Sequence, residues 1–190
     1  TIRILVLDQN ESPVFSGAPV LSVNENSAGG TVVGSVSATD QDRADSLTYS
    51  IISSNPVSAF AIDAVSGQIQ VINSSMLNYE AMTSITLSIR VTDTGGLTDT
   101  QLITISINDV NESPTDLFLS GGVVAENSAG GTFVGNVSGS DPDAGDVLQY
   151  TLLNNGGGRF VVDATTGTIR VAAGALLNYE VVNTHLVTVR

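Results

Sequence analysis

The sequence predicts an all-β chain made of two β-sandwiches in tandem, and three observations carry that prediction. Short alternating apolar runs recur at a roughly 8–12-residue spacing, bounded by Gly, Asn, Asp and Ser, which is the pattern of a sandwich. Gly, Ser, Thr, Val and Ile dominate while Trp is absent and aromatics make up 5% of the chain, a composition that suits pleated strands over helices. Most of the sequence also occurs twice, at an offset of about one hundred residues, which is the size of a domain and too long for a solenoid repeat.

In the first repeat, strands are expected near Val20–Val23, Thr31–Ala38, Leu47–Ile52, Phe60–Ile62, Gln68–Ile72, Ser84–Thr92 and Thr98–Asn108. Thr86-Leu87-Ser88-Ile89-Arg90-Val91 alternates cleanly, so one face is buried and the other wet. Gly95-Gly96 marks the turn to the next strand. Leu102-Ile103-Thr104-Ile105-Ser106-Ile107 alternates again and runs into Asp109-Val110-Asn111-Glu112-Ser113-Pro114, where the proline is expected to stop regular pairing. No window sustains a helical period, and Ala172–Leu177 is expected to form at most a single helical turn.

The repeats align motif by motif. Val23-Asn24-Glu25-Asn26-Ser27-Ala28-Gly29-Gly30-Thr31 returns as Val124-Ala125-Glu126-Asn127-Ser128-Ala129-Gly130-Gly131-Thr132, and Asp40-Gln41-Asp42 as Asp141-Pro142-Asp143. The hexapeptide at 109–114 has a twin, Asp8-Gln9-Asn10-Glu11-Ser12-Pro13. These copies stand 101 apart, whereas Phe60/Phe160 and Leu77-Asn78-Tyr79-Glu80/Leu177-Asn178-Tyr179-Glu180 stand 100 apart. One residue is therefore lost in between, assigned to the loop Ser53-Ser54-Asn55-Pro56. The expected organisation is a last strand and linker at 1–13, a whole domain at 14–108, a linker at 109–114, and a second domain at 115–190 without its last strands. The run Ile2-Arg3-Ile4-Leu5-Val6-Leu7 matches the last strand of a repeat, so the chain is expected to begin in mid-strand, with targeting sequences elsewhere. The open edge left in the second domain predicts either a monomer or an oligomer in which residues 2–7 of another copy are donated as a strand.

Nineteen acids oppose six arginines, with no lysine, for a net charge of -13. That balance argues against nucleic acid and anionic membrane as partners and favours cations or a solubility role. Cysteine is absent, so neither disulfides nor a thiolate zinc site are available. Neither a signal peptide nor an apolar run long enough to cross a bilayer is expected within these residues.

Once the repeats are aligned, the acids gather. Around the central hexapeptide fall Glu25, Glu80, Asp109, Glu112, Asp141 and Asp143; around its twin fall Asp8, Glu11, Asp40, Asp42 and Asp93. Two carboxylates about 6 Å apart repel by roughly 1–3 kcal/mol, depending on the effective dielectric. Six at one joint call for a counter-charge, and no lysine exists to supply it. A hard cation taking six to eight oxygens, Ca2+, suits the donor set better than zinc or a compact magnesium site. Asn10, Asn111 and carbonyls near Ser12 and Ser113 are expected to complete the shells.

The order of these motifs resembles the cadherin repeat across essentially the whole chain. The early glutamate of that repeat matches Glu25 and Glu126, its Asp-x-Asp matches Asp40/Asp42 and Asp141/Asp143, and its Leu-Asp-Arg-Glu matches Leu77–Glu80 and Leu177–Glu180. Its Asp-x-Gly matches Asp93-Thr94-Gly95, and its acidic linker matches the two hexapeptides. The resemblance implies seven-stranded Greek-key sandwiches, three calcium ions at each junction, an extracellular or cell-surface setting in a membrane-anchored or secreted parent, and cell adhesion through homophilic, protein or glycan partners. Asn78 stands where the family has an aspartate, which removes one charged ligand from the outermost ion; Glu112 replaces an aspartate, in a linker one residue shorter. The composition is similar to cadherin-like repeats of bacterial surface proteins. A tryptophan-anchored strand swap is excluded, since Trp is absent.

Other readings are weaker on the residues. Asp141-Pro142-Asp143-Ala144-Gly145 begins like an EF-hand loop, but its twelfth position is Leu152 where glutamate is required. Paired carboxylates serve glycosidases, yet acids recurring at joints suggest construction, so no enzyme is expected. A carbohydrate-binding module needs an exposed aromatic platform, and the five Phe and four Tyr read mostly as core, Tyr79 and Tyr179 included. A passive spacer needs nothing further. Asp45, Asp63, Asp99, Asp116, Asp146 and Asp163 read as turn or surface residues, His185 as a surface strand residue, and Asn73-Ser74-Ser75 and Asn136-Val137-Ser138 as glycosylation patterns.

Overall fold

A computed structural model describes residues 2–42, 45–55 and 59–190 and resolves two compact units, Thr1–Val110 and Asn111–Arg190. The first unit contains β1 (Val14–Phe15), β2 (Leu21–Asn24), β3 (Val32–Ser35), β4 (Ala38–Thr39), β5 (Thr48–Asn55), β6 (Phe60–Ile62), β7 (Gln68–Val71), β8 (Ser84–Thr92) and β9 (Thr98–Asn108). One sheet runs β2-β9-β8-β5, with β2 parallel to β9; the other runs β3-β7-β6, and β1 pairs with β4. β8 and β9 form a long antiparallel hairpin, Ser84 opposite Ser106 through Thr92 opposite Thr98, closed by the turn over Thr94 and Gly95 with Gly96 at φ +91°.

The sequence dictates which face of this hairpin is buried. Ile85, Leu87, Ile89 and Val91 point inward at 0% exposure, as do Ile103, Ile105 and Ile107 at 3% or less, while the intervening Ser and Thr stay outside. These seven residues are nearly half of a sixteen-residue core that also takes Tyr49, Phe60, Ile69, Val71 and Leu77. Tyr49 is buried with its hydroxyl accepting the Ala38 N–H at 2.9 Å, the usual way a buried phenol keeps a partner.

All seven expected strands of the first unit form, with ends shifted by a few residues. Four details differ. The run expected at Thr31–Ala38 breaks after Ser35 and resumes as β4. The prolines do not simply end pairing, because β1 begins directly after Pro13 and β10 directly after Pro114. Ser53, Ser54 and Asn55, expected in a loop, belong to β5, while Pro56 lies outside the described residues. Ile2–Leu7 is not a strand, and its apolar side chains are 77–90% exposed. A strand needs a partner for its backbone groups, and none is offered to this segment among the described residues.

The second unit contains β10 (Thr115–Gly121), β11 (Phe133–Ser140), β12 (Leu152–Asn155), β13 (Phe160–Val162), β14 (Thr168–Val171) and β15 (Val187–Val189). One sheet runs β10-β11-β14-β13, and β12 pairs with β15. Its core has six buried residues, Val134, Val137, Phe160, Ile169, Val171 and Leu177. This smaller core leaves aromatics outside that were expected to pack: Phe118, Phe133 and Tyr179 are 53–64% exposed, although Tyr79 does pack on the first core. His185 lies outside β15 and sets its ring edge-on to Phe160, 5.7 Å between centroids. Ala172–Leu177 forms no helical turn; the one short 3-10 turn, among the described residues, is Ser74–Met76.

Candidate metal centre

Glu25 follows directly on β2, and its backbone N–H donates to Asn108 at the end of the neighbouring β9. The chain then turns at Asn26, whose φ of +56° is a conformation asparagine tolerates. The Glu25 side chain is buried, 2% exposed, and its two oxygens accept the N–H groups of Tyr79 and Val110, each at 2.8 Å. Those bonds draw Leu77–Glu80 and the start of the hexapeptide onto one carboxylate. Glu25, Glu80 and Asp109 consequently offer oxygens within 4.8 Å of one another.

A second group forms elsewhere in the first unit. Asp93, 6% exposed after β8, accepts the Leu97 N–H at 2.7 Å and the Asn10 side-chain amide at 2.8 Å. The turn at Gly95 is shaped around the Asn10 side chain, into which a β-carbon there would collide. Asp40, Asp45 and Asp93 lie within 4.8 Å through one oxygen each. Asp42 gives its N–H to Asp40 and accepts the Glu11 N–H at 2.9 Å, so it docks the N-terminal hexapeptide.

The second unit repeats the design. Asp141 accepts the Asp143 N–H, and Asp143 accepts the Glu112 N–H at 2.8 Å, matching Asp40, Asp42 and Glu11. Asp141, Asp143 and Asp146 lie within 4.8 Å. Glu126 accepts the Tyr179 N–H at 3.0 Å, as Glu25 does with Tyr79.

The electrostatics are those of sites that want a cation. Desolvation pushes the Asp45 carboxyl above its ordinary range, and Asp42, Asp93 and Asp40 push the same way, against a lowering bond from the Thr94 backbone. Asp40 Oδ2, Asp45 Oδ2 and Asp143 Oδ1 are buried with no hydrogen-bond partner, where an orphaned carboxylate oxygen is costly. All donors are hard oxygens, and the nearby asparagines and backbone carbonyls add more, so the residues fit calcium.

Of the residues singled out from the sequence, Glu25, Glu80 and Asp109 come together, as do Asp40 with Asp93 and Asp141 with Asp143. Asn10 and Asp42 tie the first hexapeptide to the Asp93 group. Asn78 turns its amide oxygen to the Ala81 N–H at 2.7 Å, a local cap. Asn111 donates to the Glu112 carbonyl, and Ser113 is exposed beside it. Asp8 and Glu11 belong to none of the three-acid groups among the described residues; Glu11 contributes its backbone N–H. Asp45 and Asp146, which read as turn or surface acids in the sequence, each have an oxygen within 4.8 Å of two other carboxylates, Asp45 with Asp40 and Asp93, and Asp146 with Asp141 and Asp143. Their signal was present, because they too stand 101 apart, like Asp40 and Asp141. Asp99 also has a structural task, accepting the Phe15 N–H that holds β1.

Two repeated all-β units, each with grouped carboxylates, define a class of β-sandwich modules. A family model described as Cadherin domain matches residues 19–108, so the first unit carries a cadherin domain. Mouse Protocadherin-16 is 34% identical over 91% of this chain, and Cadherin-87A of Drosophila melanogaster is 32% identical over 93% of it. The chain spans only 6% and 9% of those two proteins. Among solved structures, mouse Cadherin-23 EC22-24 superposes with a TM-score of 0.72 at 23% identity, covering 95% of this chain and 59% of that one. The human Desmocollin-1 ectodomain gives 0.61 at 28% identity, covering 94% and 36%. These relatives are animal proteins, which leaves the likeness to bacterial surface repeats, drawn from composition, without support. No helix among the described residues is long and apolar enough to cross a membrane.

Proposed function

We propose that this chain is a calcium-stiffened extracellular module of a larger cell-surface protein, serving adhesion or display and carrying no catalytic activity. The observation that carries the proposal is the Glu25, Glu80 and Asp109 group, three carboxylates with oxygens within 4.8 Å and no basic side chain in the group. Bound calcium would supply the positive charge that lets such carboxylates stay ionised side by side. Glu25, Glu80 and Asp109 would hold an ion in the first unit, and Asp40, Asp45 and Asp93 another. Asp141, Asp143 and Asp146 would hold one in the second unit, with Asp42, Asn10, Asn78, Asn111, Glu112 and Ser113 completing shells.

The hexapeptide gives Asp109 to the first unit's group, and three residues later its Glu112 N–H is held by Asp143 of the second. Ions at both groups would therefore grip the linker from both ends and remove its freedom to swing. The cadherin domain of the first unit supports an extracellular setting and a homophilic, protein or glycan partner on another surface. The test is calorimetric titration of calcium into the chain and into an Asp141→Ala/Asp143→Ala variant. The parent should give heat that the variant loses in part; no heat in the parent, or equal heat in both, would defeat the proposal.

A further inference from the structure

Asn73-Ser74-Ser75 and Asn136-Val137-Ser138 share one sequence pattern, and the fold treats them differently. Asn73 lies between β7 and the 3-10 turn Ser74–Met76, half-buried, with Ser74 and Ser75 exposed. Its Oδ1 accepts the Ser75 N–H at 3.2 Å and the Ser75 hydroxyl at 2.8 Å. Two donors on one atom fix which end of the amide is the oxygen, and Nδ2 is left with no partner among the described residues. The fold does not require the triplet. The second unit covers the same stretch, from β14 to the buried Leu177, with Ala172-Ala173-Gly174-Ala175-Leu176 and makes no 3-10 turn. Leu177 still gives its carbonyl to the Asn127 N–H, as Leu77 does to Asn26. Asn136 instead stands within β11, its Nδ2 donating to the Val137 carbonyl and its Oδ1 accepting the Thr168 hydroxyl of β14. Ser138 is two residues along that strand, a rise of about 6.4–6.8 Å, and Thr168 takes its place on the amide oxygen.

We propose that Asn73 is the attachment site of an N-linked oligosaccharide and that Asn136 is not. This rests on the extracellular setting proposed above, because chains bound for that setting meet the sugar donor, an oligosaccharide carried on a lipid pyrophosphate. Nδ2 of Asn73 forms a bond to the anomeric carbon of the sugar. The bond from that carbon to the pyrophosphate oxygen breaks, and its electron pair leaves with the lipid pyrophosphate. The amide gives one proton to the transferase, and nothing is oxidised or reduced. The product keeps Oδ1, so both bonds from Ser75 survive and the turn stays capped. The same step at Asn136 puts a bulky, hydrated group on a half-buried side chain whose Nδ2 already donates to a strand carbonyl. At Asn73 the sugar stands beside Ile72 and Met76, apolar side chains 52% and 39% exposed, and shields part of their surface from water.

The test is the 190-residue chain secreted from cultured animal cells behind a cleavable leader and weighed intact by mass spectrometry before and after peptide-N-glycosidase. The parent should carry one glycan, lost on digestion with conversion of Asn73 to aspartate. Asn73→Gln and Ser75→Ala should each bring the secreted mass down to that of the bare chain. Ser75→Thr keeps the hydroxyl and should keep the glycan, which separates loss of the acceptor from loss of the fold. Ser138→Ala, which destroys only the second pattern at an exposed side chain, should change nothing. A parent of bare mass, or a glycan that survives Asn73→Gln and disappears with Ser138→Ala, would overturn the proposal. The leader by itself delivers the chain to the secretory compartment, so a bare Asn73 counts against the glycan and not against the extracellular setting. Calcium titration of the deglycosylated protein reads the ion proposal separately.

Discussion

Glu25→Gln separates the two tasks assigned to this carboxylate. In the parent its two oxygens accept two backbone N–H groups at 2.8 Å, and its charge lies within 4.8 Å of oxygens from Glu80 and Asp109. Replacement by the amide keeps one acceptor and turns an NH2 toward the other N–H, leaving a buried donor unsatisfied at a cost of about 1–3 kcal/mol. The same change removes two repulsions of about 1–3.5 kcal/mol each at 4.8 Å, for effective dielectrics between 80 and 20. Glu80 and Asp109 are exposed, so screening holds each repulsion near its lower figure. Without metal the two effects then nearly offset, and the variant should unfold within about 2 kcal/mol of the parent. With metal they do not cancel. A ligand at a hundred times its Kd stabilises by about 2.7 kcal/mol, and a variant whose affinity has fallen a hundredfold keeps about 0.4 kcal/mol of that gain. Urea denaturation of both proteins, in calcium and in chelator, reads the difference directly. A calcium-dependent gain of equal size in parent and variant would refute the reasoning.

Two further outcomes follow from the geometry. Gly67 sits at φ +68° with its missing β-carbon directed at the Val36 carbonyl, and Gly167 repeats this at φ +69° against Val137; Gly67→Ala and Gly167→Ala should each cost at least about 2 kcal/mol by thermal melting. Asp63 accepts the Ser66 N–H and hydroxyl and the Val65 N–H, bonds that hold its carboxyl below its ordinary range. A depressed folded pKa means stability that is present above the unfolded value and lost as pH falls through the folded one. Asp63→Asn should therefore lower the urea midpoint at neutral pH and leave it unchanged well below pH 4, measured by urea midpoints against pH.

The hairpin of β8 and β9 was legible in the sequence because one wet face forces strict alternation, which Ile85 through Val91 and Ile103 through Ile107 carry on either side of the turn. The carboxylate groups were legible because repetition at a fixed offset separates placed acids from scattered ones. What escaped has no pattern to read. β1 is two residues long and is held by its ladder to β4 and by the Asp99 carboxylate on the Phe15 N–H. The 3-10 turn at Ser74–Met76 depends on the Asn73 side chain accepting from Ser75, inside a triplet that reads equally well as a glycosylation acceptor. Asp45 and Asp146 lie in loops, where turn chemistry and ion ligation favour the same residue. Ile2–Leu7 has the composition of a strand, but composition cannot supply the neighbour that a strand requires.

The central claim is that these acids hold calcium, and anomalous diffraction from crystals grown in excess calcium tests it most directly. The account predicts an anomalous peak at about 2.3–2.6 Å from oxygens of Glu25, Glu80 and Asp109, with equivalent peaks at the Asp40 and Asp141 groups. Crystals in which all three groups bear no anomalous peak at saturating calcium would contradict it.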